Sequence, residues 1–264
     1  MPITDLEVAR LACRAGVEVV RSAFGRLITT EFKSDANPVT EVDRRSEDAI
    51  ISVIRRHRGA DSVLAEESGG EGWDRGRVWI IDPLDGTVNF IHGIPHVSVS
   101  VAFWEDGRPL VGVVTDVMHS EEFTAAMGGG AFLNGERIEV SVEARLSHSL
   151  IATGFAYDRN LHAAGYADTL GSVLSRVQGI RRFGSAALDL AWVAVGRYEG
   201  YWEFGIAPWD SAAGVLLITE AGGTVTNHHG DTYCPDDAGV VSSNGRIHTE
   251  FLGEIKSNLP SHLR

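Results

Sequence analysis

The chain has 264 residues, 44% of them apolar and 22% charged, the composition of a globular protein with a large core in one or two domains. Its 23 basic and 36 acidic side chains leave a net charge of −13, which argues against a general nucleic-acid or anionic-membrane surface. An anionic substrate stays open if metal ions supply local positive charge.

No apolar run reaches the roughly 18 residues of a membrane span, and Asp5 and Glu7 interrupt any leader, so the expected location is cytoplasmic. Cys13 and Cys234 lie far apart; Cys13 falls in an apolar helical pattern and reads as a core thiol rather than a disulfide partner.

Residues 6–24 predict a helix, with apolar side chains at Leu6, Ala9, Ala12, Ala15, Val19, Val20 and Ala23 and a stop at Gly25. Residues 29–33 suit a short strand. Thr40 followed by Asp43 resembles a capping box opening a helix to about Arg56. Asp43 is then a helix-start acid or an acid facing a metal site. Residues 62–65 predict a strand ending in Glu66-Glu67, and residues 77–81 a buried strand ending in Asp82. Pro83 lacks an N–H, so the ladder is expected to stop there. If these strands are neighbours, Glu66 and Asp82 leave the sheet at one rim.

The turn Asp82-Pro83-Leu84-Asp85-Gly86-Thr87 holds two carboxylates at i and i+3 that can converge on a hard cation. Gly86 lets a ligand approach the backbone closely, and Thr87 can begin a helix whose free N–H groups favour an anion. An ordinary strand–turn–helix junction with an Asx-turn fits the same residues.

His92 and His96 have i, i+4 spacing, but Gly93 and Pro95 spoil the helix that a zinc pair needs. Residues 98–104, 110–116 and 122–126 predict successive strands. The glycines at 128–130 lack the Lys-Ser/Thr of a phosphate loop, and with Asn134-Gly135 beyond them a hairpin is the better reading.

From about Leu146 strands and helices alternate: strand 151–153, helix 161–177, strand 180–183, helix 186–195, strand 198–202. Gly184, Ser185 and Ala186 sit between a strand and a helix, where small residues expose backbone N–H groups. Glu203 ends a strand. Asp210 opens a helix that stops at Gly222-Gly223, as a helix cap or as a metal-facing acid. A closing helix is expected over 247–259. The chain thus divides into an N-terminal α+β half (1–145) and a C-terminal α/β half (146–264), forming one compact unit.

Residues 82–90, DPLDGTVNF, and 209–214, WDSAAG, with Glu220-Ala221-Gly222-Gly223, resemble the two signature motifs of the inositol monophosphatase family. Residues 65–68 and 37–43 resemble that family's upstream motifs in the same order, so the likeness covers essentially the whole chain. It implies an α-β-α-β-α sandwich of the inositol monophosphatase and fructose-1,6-bisphosphatase type. It also implies a homodimer, Mg2+-dependent hydrolysis of small phosphate monoesters, and inhibition by lithium.

Carried over by motif, the first metal would be held by Glu66, Asp82 and the Leu84 carbonyl, and the second by Asp82, Asp85 and Asp210. A third, weaker one would lean on Glu66 and waters. All-oxygen ligands suit Mg2+, or Mn2+ as a substitute, and not zinc or copper. Thr87, aided by Glu66 and Asp43, would activate a water for direct attack. Gly86 and Thr87 N–H groups would hold the phosphate. Asp85, Gly184, Ser185, Ala186, Glu203 and Asp210 would face the alcohol part.

Inositol monophosphate is the expected substrate. Histidinol phosphate and sugar phosphates such as fructose 1,6-bisphosphate are the alternatives, since Glu203 could meet hydroxyls or an ammonium. A reading of another class is a metal-binding regulatory protein on the same fold. Neither nucleic acid nor membrane is expected as a partner.

Overall fold

The computed structural model describes residues 3–26, 30–34, 37–70, 72–157 and 159–263. Helix α1 (Asp5–Ala23) opens on Thr4, whose hydroxyl accepts the Glu7 N–H while the Glu7 carboxylate accepts the Thr4 N–H. Its buried face is Val8, Ala9, Ala12, Cys13, Gly16, Val17, Val20 and Ala23. The expected stripe was rotated slightly off this face: Leu6, Ala15 and Val19 are only half-buried, and Gly16 and Cys13 are fully involved. A Cβ at Gly16 would stand 2.8 Å from the Ile50 side chain, so the glycine permits the close crossing of α1 with the helix that carries Ile50.

Strand β1 (Thr30–Ser34) pairs antiparallel with β2 (Asn37–Thr40). The expected strand over 29–33 corresponds to β1, which runs one residue further, to Ser34, while Thr29 lies outside the described residues; β2 was not expected. Helix α2 (Glu41–His57) starts on the Thr40–Asp43 capping box read from the sequence.

Seven strands follow: β3 (Ser62–Ala65), β4 (Arg77–Asp85), then, after the short helix α3 (Thr87–Ile91), β5 (Ser98–Glu105), β6 (Arg108–Asp116), β7 (Glu121–Ala126), β8 (Gly130–Leu133) and β9 (Glu136–Ile138). They pair in chain order, β3 parallel to β4 and the rest antiparallel. The parallel register puts Ala65 beside Ile81, so Glu66 and Asp82 emerge at one rim as the sequence implied. Along β4, Trp79 and Ile81 enter the core under α1 and α2 while Val78 and Ile80 enter the core on the other face. Helices cover both faces, which is why the run is continuously apolar.

One expectation fails here. The ladder does not stop at Pro83. Asp82 pairs with Ser100, Pro83 and Leu84 bulge out, and pairing resumes at Asp85 with Ser98. A bulge removes the need for a proline N–H and bends the strand so that both acids face one side of its end.

The second sheet is built from β10 (Leu150–Thr153), β11 (Gly179–Arg181), β12 (Gly200–Phe204), β13 (Thr224–Asn227) and β14 (Gly239–Ser243), in the order β11-β10-β12-β14-β13. β10 is parallel to both of its neighbours and β14 antiparallel to both of its own. The helices are α4 (Arg159–Leu174), α5 (Ala186–Ala194), α6 (Pro208–Glu220) and α7 (His248–Ser257). α5 and α6 pack on each other between the two sheets, α1 and α2 cover the outside of the larger sheet, and α4 and α7 cover the outside of the smaller. The result is the α-β-α-β-α sandwich. Among the described residues no helix is long and apolar enough to cross a membrane. Both cysteines are free, Cys13 buried and Cys234 exposed.

Candidate active site

The bulge at the end of β4 and the first turns of α3, α5 and α6 meet around a cavity of about 490 Å3. Asp82, Asp85 and Asp210 each point one carboxylate oxygen into it, all within 4.8 Å of one another. Asp82 Oδ1 accepts the Leu84 N–H at 3.0 Å, so the Asx-turn and the acid cluster are one feature, not alternatives. Asp210 likewise has two jobs. It is not the cap itself but the third residue of α6, and its Oδ2 accepts the N–H of Ala207 at 2.9 Å.

Asp85 is the most firmly seated of the three. It accepts Ser185 Oγ–H at 2.5 Å, the Ala187 N–H at 2.9 Å and Ser98 Oγ–H at 3.2 Å, with the Ala186 N–H at 3.3 Å. The larger sheet thereby caps the N-terminus of α5, where negative charge is favoured. Ser185 and Ala186 meet the cavity as donors to this acid.

Burial raises the pKa of Asp82, and the charges of Glu66, Asp85 and Asp210 raise it further. Asp210 is raised by burial, then by Asp85 and Glu66. Asp85 is also raised by burial, with Ser185 opposing. A site of mutually repelling carboxylates out of water is resolved by a bound cation, and the donors are all oxygen, which fits a hard divalent ion. Glu66 extends the parallel ladder by one bond, its N–H to the Ile81 carbonyl at 3.2 Å, and lines the same cavity outside the set of three.

Thr87 is the first residue of α3. The preceding Gly86 is left-handed, with φ 91°, and a Cβ there would lie 3.0 Å from the His96 carbonyl, so glycine is required twice over. Thr87 Oγ1 lies 2.9 Å from Asp43 Oδ1 and 3.0 Å from the Leu84 carbonyl. Asp43 is fully buried behind it; Oδ2 accepts both the N–H (2.9 Å) and the hydroxyl (2.5 Å) of Thr40. Asp43 is therefore the helix-start acid and also the acceptor behind Thr87, and it does not itself line the cavity. Burial raises its pKa, against the hydrogen bonds of Thr40 and Thr87.

At the far side, Glu203 lies within β12, one residue before its end, and accepts the Tyr201 hydroxyl. Burial pushes its pKa up to about 7. Gly184 lines the cavity in a left-handed conformation, φ 84°, and Asn89 Nδ2 ties its loop to α3 through the Phe183 carbonyl at 2.7 Å and the His96 carbonyl at 2.8 Å. His92 is exposed at the end of α3, and His96 is buried against Phe183 and Trp192.

The sequence reading missed Asp189, Arg182 and Tyr157, which also line the cavity. Asp189 carried a signal: it is the lone charge in the apolar helix 186–194. Nothing in the pattern marked the other two.

A layered α/β sandwich with an acid cluster from a strand bulge and a helix start, beside a helix-start hydroxyl, defines the class: a cavity whose acids could hold a metal ion. The comparisons place the chain within that class. A profile of the inositol monophosphatase family matches residues 4–259, and the chain belongs to that family.

It is 41% identical to the Nus factor SuhB of Pseudomonas aeruginosa, over 98% of each chain. It is 39% identical to the inositol-1-monophosphatase of Mesorhizobium japonicum, over 96% of each. The solved structure of inositol monophosphatase from Anabaena (Nostoc) sp. PCC 7120 superposes with a TM-score of 0.86 at 41% identity, over 98% of each chain.

Proposed function

We propose that this cavity hydrolyses small phosphate monoesters with the aid of Mg2+, inositol monophosphate being the expected substrate. One observation carries the reading: three carboxylates from β4 and α6 have oxygens within 4.8 Å, beside a threonine hydroxyl seated on a buried acid. Asp82, Asp85 and Asp210 would hold one divalent ion, and Glu66, Asp82 and the Leu84 carbonyl another, with Mn2+ as a substitute. When bound, such ions neutralise phosphoryl charge and lower the pKa of a water.

Thr87 has one proton, which it gives to Asp43, leaving its lone pairs to accept a proton from the attacking water. Asp43 acts only through Thr87, since its own side chain has no exposure. Glu66, on the cavity wall, is placed to orient that water. The N–H groups of Gly86 and Thr87 at the start of α3 would receive the phosphate. With donors and charges fixed in advance, positioning and electrostatics supply most of the acceleration.

The same reading carries a polyol or amino alcohol as leaving group, contacted by Asp85, Gly184, Ser185, Ala186, Glu203 and Asp210. It also carries lithium sensitivity, a homodimer and a cytoplasmic location. The name of the Pseudomonas relative, a Nus factor, favours a second reading in which a protein of this fold has a regulatory role. Asp85→Asn separates the two, because it abolishes turnover while leaving partner binding intact.

The test of the first reading is phosphate release from inositol 1-phosphate, histidinol phosphate and fructose 1,6-bisphosphate, with and without Mg2+. Mg2+-dependent release with the highest kcat/KM for inositol 1-phosphate supports it. No release from any ester overturns it.

A further inference from the structure

Asp189 is the fourth residue of α5 and is 1% exposed. Its helix neighbours Leu188, Leu190 and Ala191 are all fully buried and apolar. Its Oδ1 has no hydrogen-bond partner among the described residues, and no ion pair to it is formed there either. Native proteins rarely keep such an atom without a use, because a buried carboxyl oxygen without a donor is destabilising.

The residue is not simply sealed in the core. It lines the same cavity as Glu203, Gly154 and Arg182. Glu203 is packed so closely on Gly154 that a Cβ there would stand 2.0 Å from Glu203 Oε2, so that carboxyl is fixed in place. Arg182 is near enough for its charge to act on both acids without bonding to either. Glu203 has a donor in Tyr201, whereas Asp189 Oδ1 has none among the described residues.

We infer that Asp189 is a specificity-determining residue, whose carboxyl receives a hydroxyl of the polyol leaving group and forms with Glu203 a two-acid floor at the alcohol end of the cavity. This rests on the phosphatase reading above and adds the residue that selects the alcohol. The donor that Oδ1 lacks among the described residues is supplied by the substrate. A site whose buried acceptor awaits a hydroxyl discriminates against an ester that lacks one, since the acceptor then stays unpaired.

The test compares wild type with Asp189→Asn and Asp189→Leu, all with Mg2+, on inositol 1-phosphate, histidinol phosphate and p-nitrophenyl phosphate, whose leaving group carries no aliphatic hydroxyl. For Asp189→Leu the expected result is a fall of about tenfold to hundredfold in the ratio of kcat/KM for inositol 1-phosphate to that for the aryl ester, and for Asp189→Asn, which keeps an acceptor oxygen, a smaller fall. Most of the fall should be in KM. Thermal unfolding read alongside should show Asp189→Leu at or above the wild-type midpoint, because a buried polar group without a donor has been removed.

An unchanged ratio, or equal losses on all esters with a lowered midpoint, would make Asp189 a structural acid and overturn the inference. A loss confined to histidinol phosphate would overturn the hydroxyl assignment in favour of an ammonium. If wild type itself releases no phosphate, the reading of the whole site falls and this inference with it, and that outcome is visible before any variant is measured.

Discussion

Removal of the Thr87 hydroxyl gives the sharpest view of how the site is wired. The side chain is buried, and its Oγ1 sits 2.9 Å from Asp43 Oδ1. In Thr87→Ala, Asp43 keeps both Thr40 donors on Oδ2 but loses its side-chain donor on Oδ1. A hydrogen bond to a charged group contributes about 1.5–3 kcal/mol. For a chain of this size each kcal/mol moves the unfolding midpoint by roughly 2–4 °C, so a fall of about 3–12 °C is expected.

Activity should fall much further. The variant keeps all the acids of the cluster but has no hydroxyl to accept the proton of the attacking water, which costs about 10²–10⁴ in kcat. That is about 3–5 kcal/mol of barrier, well above the stability loss. Initial rates of phosphate release with Mg2+, read beside thermal unfolding, separate the two effects. Thr87→Ser should recover most of the rate. A Thr87→Ala protein turning over within twofold of wild type would refute the relay from water through Thr87 to Asp43.

Two further outcomes follow from the same geometry. Gly154→Ala forces its Cβ against Glu203, so it should cost about 1–3 kcal/mol of stability and raise KM for inositol 1-phosphate more than for p-nitrophenyl phosphate. Equal KM changes would mean that Glu203 does not meet the alcohol. The pH dependence of the cation-free protein should run opposite to ordinary acid unfolding where this cluster is concerned. Asp82, Asp85, Asp210 and Glu203 all have folded pKa values above the ordinary carboxylate range, so they bind protons more tightly folded than unfolded. Their favourable contribution is complete below about pH 4 and lost as pH rises, for Glu203 through about 7. In EDTA the midpoint of Asp210→Asn should therefore gain on wild type between about pH 5 and pH 8. A gap that narrows over this range would contradict the assigned directions.

Much of this site was legible before any coordinates because its residues sit where local chemistry is strict. Asp82, Asp85, Gly86 and Thr87 occupy one turn, and the Glu66 and Asp82 rim follows from two apolar runs that must pair to be buried. The Thr40–Asp43 box is a local bond pattern, visible as spacing. The dual roles were not legible. Spacing could not tell whether Asp43 and Asp210 serve helix starts or the cavity: Asp210 serves both, and Asp43 meets the cavity only through Thr87.

What stayed hidden depends on tertiary context. Residues 224–227 carry one apolar side chain, Val225, and 239–243 read Gly-Val-Val-Ser-Ser, so β13 and β14 are too short and too polar to show the repeated alternation that announces a strand. Pro83 was read as a terminus because a regular ladder cannot include it; the bulge that accommodates it depends on Ser98 and Ser100 of β5, far along the chain. Asp189 is a single acid in an otherwise apolar helix, and its burial depends on what packs around that helix.

The most direct test of the whole account is the thermal response to Mg2+ of wild type and of Asp82→Asn/Asp210→Asn. At about 100 times its dissociation constant the ion should stabilise wild type by about 2.7 kcal/mol, raising the midpoint by roughly 5–10 °C, and should leave the double variant unmoved. A double variant that gains as much as wild type, or a wild type that gains nothing, would contradict the claim that these three carboxylates are a cation site.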